Sequence, residues 1–363
     1  YLYTPLYTCD SLLLHLTDGE GSYFEKKDDS LYLDSIIDFK QNVAYQREED
    51  NVYLLDMAEY KLDDGEFNPL EEIIRIDDNC RKILKYPLAN GEDTQPWVLN
   101  ETKIEHYVTL KFTVESQIDT DCFIAAEEAK SISLNGKNIE LSPCGYFVDE
   151  SIKKYHLGSL HKGTNIIEIA APIGKRTSIE NFFLLGDFDV VVRGAEKTII
   201  KPSEKIGFGN IATQGLPFYG GNLTYKTEIE TPECSLKIRT SRYRGAAVKV
   251  IFDGKDMGII AFKPYKLTID NVSAGRHTVE FKLLGNRYNT FGPMHKCGYN
   301  IWYGSCMWYT YLADFSNEYG MVVDKDAAYR PGAFPYSAEW CYEYNYKDTG
   351  ILASPMIEVI RHK

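Results

Sequence analysis

The chain has 363 residues, of which 44% are hydrophobic and 26% are charged. This length exceeds what one hydrophobic core supports, so two or three domains are expected, and the composition excludes global disorder. The formal net charge of −13 argues against nucleic-acid binding, which needs a basic surface with counterions to release.

Membrane spans, a signal peptide and a zinc centre are not predicted either. No apolar run reaches the roughly 18 residues that cross a bilayer, and no basic leader precedes the short apolar run SLLLHL. The eight cysteines are scattered singly, without the close pairs of a zinc site. Free thiols favour a reducing compartment, so a cytoplasmic location is favoured over secretion. We expect no cofactor, although loops between strands leave calcium binding open.

Residues 1–66 are predicted to be strands of a partial N-terminal β-sandwich. Short apolar runs, LYLDSIIDF and NVYLLDMAEYKL, alternate with charged turns at residues 48–50 and 63–65. Apolar runs of this length, bounded by turn residues, are typical of strands.

Residues 67–100 are predicted to form one helix and a linker. Asn68 has the side chain of a helix cap, Pro69 suits the first turn, and Pro87 ends the pattern. The apolar side chains that recur at helical spacing are Leu70, Ile73, Ile74, Cys80, Ile83 and Leu84.

The same strand pattern is written twice in the middle of the chain. AKSISLNGKNIELSPCGYFVDESIKKYHLGSLHKGTNIIEIA (129–170) and AVKVIFDGKDMGIIAFKPYKLTIDNVSAGRHTVEFKLLG (247–285) each contain a strand, a two-residue turn and further strands. The turns, Asn135-Gly136 and Asp253-Gly254, accept the positive φ of a type I′ hairpin. Gly163 precedes the closing strand of the first copy.

The fold class predicted from these patterns is mostly β, with tandem antiparallel β-sandwiches and one linking helix. Gly-punctuated connections without intervening helices favour antiparallel sheets over a parallel α/β sheet. Residues 101–189 are predicted to form the first sandwich. Residues 190–363 are predicted to form the second, with an aromatic-rich insertion before the last strand, PMIEVIRHK, which returns to complete a sheet.

Two loops carry the residue types of a sugar site. QGLPFYGGN (214–222) could present the ring of Tyr219 for stacking and the amide of Asn222 for hydroxyl groups. GNRYNTFGPMH (285–295) adds Asn289 and His295. The alternatives are an aromatic plug between two sheets and a structural histidine, and composition alone favours them.

The aromatic tail offers a second kind of carbohydrate platform, on Trp302 and Trp340. Its aromatics follow no strict period, so packing between domains explains them equally well. No motif specifies catalysis. A glycosidase needs two carboxylates at a fixed separation, and Glu180 and Glu339 are the carboxylates least typical of a surface by context. GFGNIA (207–212) fits a dinucleotide fingerprint only formally, because Gly and Pro follow where a helix is required.

Eight short segments occur in an order that spans about residues 50–295. The segments are VYLLDMAEYKLDDGEF (52–67), EEIIRIDDNCRKILKYP (71–87), QPW (95–97), SLNGK (133–137), GYFVD (145–149), IENFFLLGDF (179–188), QGLPFYGGN and GNRYNTFGPMH. Together they resemble the distal, non-barrel half of large glycoside hydrolases of the α-L-rhamnosidase-like group and, more loosely, the sugar-binding β-sandwich domain of β-galactosidases and β-glucuronidases. The resemblance implies galactose-binding-like jelly rolls that accompany a catalytic barrel.

The function expected from the sequence is that of a carbohydrate-binding and domain-supporting part of a larger glycoside hydrolase. Its partners would be an oligosaccharide or glycoside and the catalytic barrel of the same parent protein. A barrel needs about 250 residues of alternating strands and helices, and only one helix is predicted here. The alternatives are a glycoside hydrolase active in its own right and a purely structural accessory module.

Overall fold

The computed structural model describes residues 31–88, 103–295, 298–303, 308–314, 323–324 and 340–362. The described residues form 29 strands and two α-helices, and the mostly β, antiparallel fold class is confirmed. One pairing among the described strands is parallel, between residues 198–199 and 115–116.

Fifteen strands lie in the N-terminal half of the described chain. They are β1 Leu31–Ile37, β2 Val43–Arg47, β3 Asn51–Leu55, β4 Met57–Leu62, β5 Asn68–Glu72, β6 His106–Ser116, β7 Thr120–Ala126, β8 Ser131–Leu134, β9 Lys137–Asn138, β10 Tyr146–Phe147, β11 Asp149–Leu160, β12 Gly163–Ile173, β13 Phe182–Gly186, β14 Asp189–Arg193 and β15 Glu196–Ile200.

The strands of the C-terminal half follow the same pattern of short antiparallel segments. They are β16 Lys205–Ile206, β17 Leu223–Thr231, β18 Cys234–Arg239, β19 Tyr243–Arg244, β20 Ala247–Phe252, β21 Lys255–Ile260, β22 Lys266–Val272, β23 Gly275–Leu284, β24 Gly298–Tyr303, β25 Trp308–Asp314, β26 Val323–Asp324, β27 Trp340–Cys341, β28 Gly350–Ile351 and β29 Met356–His362. The helices are α1 Ile73–Leu84 and α2 Tyr288–Phe291, and a 3-10 turn covers Ile211–Thr213.

Two β-sandwiches with the same strand order make up the fold. In the first, one sheet contains the run β6-β12-β8-β9 and the other the run β11-β7-β13. In the second, the equivalent runs are β17-β23-β20-β21 and β22-β18-β29. Each pair of sheets encloses its own core of buried apolar side chains. The repeat seen in the sequence is therefore a repeat of topology.

The N-terminal strands are shared between the two sandwiches. β1 pairs with β29 and β2 with β17, so both belong to the second sandwich. β3 pairs with β13 and β4 with β6, so both belong to the first. β14 and β15 extend a sheet of the first sandwich. The strands expected of a partial N-terminal sandwich thus complete the other two, while residues 1–30 lie outside the described residues. The division into separate domains stays a prediction.

Both predicted hairpin turns are present. Asn135 and Gly136 have φ values of 49° and 79° and connect β8 to β9. Asp253 and Gly254 have φ values of 47° and 77° and connect β20 to β21. Positive φ at both central residues is the signature of the type I′ turn, whose twist matches that of the paired strands.

The helix begins later than its sequence pattern predicts, and the Asn68 cap is wrong. Residues 68–72 are β5, which pairs with β4, and the cap is Glu72, whose carboxylate accepts a hydrogen bond from the Arg75 amide at 3.1 Å. The Asn68 side chain instead donates to the Tyr60 carbonyl at 3.2 Å. Pairing with β4 satisfies the backbone of residues 68–72, so the strand prevails over the local capping signal.

The buried face of α1 also differs from the predicted one. Ile73 and Cys80 are buried as predicted, whereas Ile74 and Ile83 are exposed. The remaining buried positions include an ion pair, Arg81 and Asp77, which hold each other at 2.6 Å. A charged pair on the inner face explains why apolar spacing alone misplaces that face.

No helix in the part of the chain that the structure describes combines the length and apolar character required for crossing a bilayer. The five cysteines in the described ranges are free thiols, four of them buried.

Candidate functional site

The two predicted sugar-binding loops lie against each other in the structure. The Asn222 carbonyl Oδ1 accepts a hydrogen bond from the Gly285 amide at 3.1 Å, and the Thr290 hydroxyl donates to the Phe218 carbonyl at 2.9 Å. A Cβ on Gly285 would collide with the Gly221 carbonyl, so glycine is required for this approach. We call this contact between residues 214–222 and residues 285–295 the junction.

Tyr219 lies inside the junction. Its side chain is 1% exposed and belongs to the second core. Its hydroxyl donates a hydrogen bond to the backbone carbonyl of Asn222 at 2.7 Å and accepts one from the backbone amide of Glu48 at 3.2 Å. Burial raises the pKa of Tyr219 well above its ordinary value. The ring presents no face to solvent, so the stacking role stays a prediction that would require the ring to leave the core.

The two predicted asparagines bind other parts of the chain. The Asn222 amide donates to the Glu48 carboxylate at 2.8 Å. Asn289 is buried and forms a pair of hydrogen bonds with the backbone of Lys347, each 2.9 Å long. Asn222 remains partly exposed, whereas both polar ends of Asn289 are satisfied within the protein.

His295 belongs to a buried network of charged groups. Its Nε2 lies 3.2 Å from Asp56 Oδ2, and its Nδ1 lies 3.1 Å from the Cys341 carbonyl. Asp56 also accepts a hydrogen bond from the Tyr344 hydroxyl at 2.6 Å and pairs with Lys197 at 2.7 Å. We call Asp56, Glu72, Lys197, His295 and Tyr344 the Asp56 network.

The network contains two carboxyl groups with opposite pKa shifts. Burial alone would raise the pKa of Asp56, but the Lys197 ammonium and the His295 hydrogen bond hold it well below its ordinary value. Burial raises the pKa of Glu72 to about 7, and the nearby Asp56 charge adds to this effect. Carboxyl groups with divergent pKa values can divide acid and base roles. Both are almost fully buried here, at 2% and 5% exposure.

An open cleft of about 540 Å³ lies beside the junction. Five of its nine lining residues are acidic and one is basic, so the cleft carries negative charge. The lining residues are Tyr45, Arg47, Glu48, Glu49, Asp50, Asp187, Pro202, Ser203 and Glu204. We call it the acidic cleft.

Glu48 connects the acidic cleft to the junction. Hydrogen bonds from Lys282 and Asn222 hold the pKa of Glu48 below its ordinary value. Its carboxylate is therefore ionised at neutral pH. A neighbouring carboxylate, Glu49, pairs with Arg287 of the junction at 2.6 Å.

Other polar groups of the acidic cleft have fewer partners. Asp187 pairs with Arg47 at 2.5 Å, yet 83% of its side chain is exposed. Tyr45 packs partly against the second core, and burial, with the Asp189 charge, raises the pKa of its hydroxyl. No hydrogen bond or ion pair of Glu204 occurs among the described residues, and its side chain is exposed. These groups can accept and donate hydrogen bonds to a polar ligand.

The remaining predicted residues lie apart from this region or outside the described side chains. Trp302 is in β24 and Trp340 in β27, and both side chains, like the whole of Glu339, lie outside the described part of the structure. Glu180 lines a separate pocket in the first sandwich.

Sequence reasoning missed Asp56 and Lys197. Asp56 interrupts the apolar run VYLLDMAEY, and a charge inside such a run signals a buried, paired group. Lys197 gave no comparable signal, because it alternates with apolar residues in EKTII like an ordinary exposed strand residue.

No protein-family model matches the chain, and no curated protein matches it. Among solved structures, similarity is found to glycoside hydrolases, at low identity. A rhamnosidase from Novosphingobium sp. PP1Y shows 13% identity and a TM-score of 0.26, over 72% of this chain and 23% of that one. A β-D-mannosidase from Dictyoglomus thermophilum shows 12% identity and a TM-score of 0.27, over 65% and 31%.

A third similar structure is a GH2 β-galacturonidase from Eisenbergiella tayi bound to galacturonate. It shows 17% identity and a TM-score of 0.19, over 26% of this chain and 17% of that one. The chain spans less than a third of the length of each of these three proteins. All three likenesses are slight, and no activity follows from them.

Proposed function

We propose that this chain is a carbohydrate-binding and domain-supporting part of a larger glycoside hydrolase, and that it binds neutral oligosaccharides in the acidic cleft. The catalytic barrel of the same parent protein would be its covalent partner. The proposal combines the paired β-sandwiches, the family resemblance of the sequence segments and the polar groups of the cleft.

The observation that carries the proposal is the lining of the acidic cleft. Its volume of about 540 Å³ lies within the range of small-molecule sites, roughly 300–1,000 Å³. The Glu204 and Asp187 carboxylates can accept hydrogen bonds from sugar hydroxyl groups, and the Tyr45 hydroxyl can both donate and accept hydrogen bonds. The excess of carboxylates would repel uronic acids, so neutral sugars are the better ligands.

Asn222 enters this proposal as a positioning residue. Its side-chain amide donates a hydrogen bond to Glu48, and its side-chain carbonyl accepts one from the Gly285 backbone amide. It therefore fixes one wall of the cleft to the junction. Affinity is expected to be weak, about millimolar, because an open site exchanges hydrogen bonds with water for hydrogen bonds with protein at little net gain.

Calorimetric titration with neutral oligosaccharides, chosen from a glycan array, tests the proposal. Glu204→Gln removes a charged acceptor without disturbing a described contact, and we expect it to weaken binding at least about tenfold. Tyr45→Phe keeps the packing and should weaken binding by a factor of about 2 to 12. Glu233→Gln, at an exposed position outside the cleft, is the matched control and should bind like the unmodified protein.

Two results would contradict the proposal. Equal affinity of Glu204→Gln, Tyr45→Phe and the unmodified protein would move the sugar out of the cleft. Absence of binding to every glycan on the array would favour the purely structural alternative.

A second candidate function is glycoside hydrolysis by the chain itself. The opposite pKa shifts of Asp56 and Glu72 favour it, since a glycosidase needs one carboxylic acid that is protonated and one that is ionised. It ranks second because Asp56 and Glu72 are buried and already bonded within the protein. Chromophore release from an aryl glycoside that is abolished by Glu72→Gln would put it first.

A further inference from the structure

The first sandwich has a polar pocket of its own, apart from the acidic cleft. It has a volume of about 280 Å³ and lies between residues 127–128, which follow β7, and residues 171–182, which run from β12 into β13. Polar groups of both charges and neutral amide and hydroxyl groups line it. These groups belong to Glu127, Glu128, Arg176, Thr177, Ser178, Glu180 and Asn181. We call this cavity the Arg176 pocket.

A buried ion pair of α1 fixes one wall of this pocket. Arg81 is 1% exposed, pairs with Asp77 at 2.6 Å, and donates to the Thr177 carbonyl at 2.8 Å and the Ser178 hydroxyl at 3.1 Å. Asp77 in turn accepts from the Ile179 amide at 3.0 Å. The wall is therefore held in place before any ligand arrives, which reduces the entropy cost of binding.

One acceptor in the pocket is buried without a partner. Asn181 Oδ1 is inaccessible to solvent and receives no hydrogen bond within the described residues. Buried polar atoms are nearly always hydrogen-bonded in native proteins, and an unpaired one costs free energy. If the Asn181 side chain turns toward the pocket when a ligand arrives, a hydrogen bond from a ligand hydroxyl group to Oδ1 would remove this cost.

We propose that the Arg176 pocket binds a single neutral sugar residue. Its volume is at the lower limit for small-molecule sites, which fits one monosaccharide rather than a chain. Three carboxylates against one guanidinium leave the lining negatively charged, so anionic sugars are disfavoured. The mixture of donors and acceptors matches adjacent hydroxyl groups. This inference uses no residue of the acidic cleft and does not depend on binding there.

Saturation-transfer NMR with D-glucose, D-galactose, D-mannose and L-rhamnose, each compared with D-glucuronate, tests the inference. We expect transfer to at least one neutral sugar and at least tenfold weaker binding of glucuronate. Asn181→Leu should abolish the transfer while leaving the thermal midpoint unchanged or higher, because the lost acceptor has no partner in the protein. If Asn181 had only a structural role, its replacement would not abolish the transfer while leaving the thermal midpoint unchanged or higher.

A charge-matched pair of variants serves if Asn181→Leu fails to fold. Arg176→Met should weaken binding at least tenfold, whereas Lys175→Met, at the neighbouring exposed position outside the lining, should not. Glu204→Gln, a substitution in the acidic cleft, should leave monosaccharide binding in the Arg176 pocket unchanged. This result would distinguish the two sites. No transfer to any of the four neutral sugars would overturn the inference, as would unchanged binding by both Asn181→Leu and Arg176→Met.

Discussion

Asp56 and Glu72 show that burial alone does not decide the charge of a carboxyl group. Both are almost fully buried and lie where β3 leads into β4 and β5 meets α1. Asp56 has an ammonium group at 2.7 Å and a tyrosine hydroxyl at 2.6 Å, so its ionised form is favoured. Glu72 has backbone amide donors, which do not offset its burial. The two carboxyl groups have opposite pKa shifts because their nearest hydrogen-bond donors differ, although both are similarly buried.

Glu72 is expected to make stability depend on pH. Its pKa rises from an ordinary 4.5 to about 7 on folding, so the folded state binds more protons between these values and stability falls as pH rises through that window. The free energy of unfolding is expected to be about 3 kcal/mol lower above pH 7 than below pH 4.5. Glu72→Gln should flatten this slope, as measured by urea unfolding from pH 4.5 to 8.

The exposed Glu66→Gln variant is the control for Glu72→Gln. It should keep the pH slope of the unmodified protein. An identical slope in Glu72→Gln would show that another group is responsible for the pH dependence.

At the scale of elements, local signals predicted the turns and the presence of α1, but placed the start of that helix too early. The Asn135-Gly136 turn is decided by the φ angles that two residues accept, so its sequence suffices. The start of α1 is decided by β4, which pairs with residues 68–72 from a different part of the chain. The junction could be predicted only in part. Its two loops could be identified from their residue types, but the partners of Asn289 and His295 lie 58 and 239 residues away in the sequence, so no local pattern indicates them.

Arg81 is expected to be the most costly residue of α1 to replace. Arg81→Met would leave Asp77 buried without its cation and release the Thr177 carbonyl, which should destabilise the fold by about 3–5 kcal/mol. Urea unfolding measures this loss, and amide exchange of residues 177–179 should accelerate.

Lys82→Ala, at the next and exposed position of the same helix, provides the comparison for Arg81→Met. It should change stability by less than about 0.5 kcal/mol. Similar effects of the two substitutions would refute a special role for the buried pair.

At the scale of the whole molecule, the first sandwich lies in the chain between strands of the second. β3 comes before α1 and contributes Val52, Tyr53, Leu54 and Leu55 to the first core, all at most 3% exposed. Burial of these four side chains is worth about 6–12 kcal/mol, which is comparable to the whole stability of a typical domain. The first sandwich is therefore built from one continuous stretch, β3 to β15, whereas the second combines β1 and β2 with strands that follow β15.

A fragment of residues 103–200 should not fold alone. It contains the repeat of the first sandwich but lacks β3 and β4, so its core stays open. A fragment of residues 48–200 should unfold cooperatively in urea, with near-ultraviolet circular dichroism as the measure of packed aromatic side chains. Cooperative unfolding of both fragments at the same midpoint would show that β3 and β4 are dispensable.

The pairing of β1 with β29 joins residues more than 300 positions apart, Leu31 to His362. A ribosome adds about 5–20 residues per second, so β1 emerges tens of seconds before the strand it needs. During synthesis the sheet that contains β18 and β22 has an open edge where β29 will insert. Nascent chains are thus vulnerable to edge-to-edge association until β29 has been synthesised, and lower growth temperatures or a holding chaperone should raise the soluble yield.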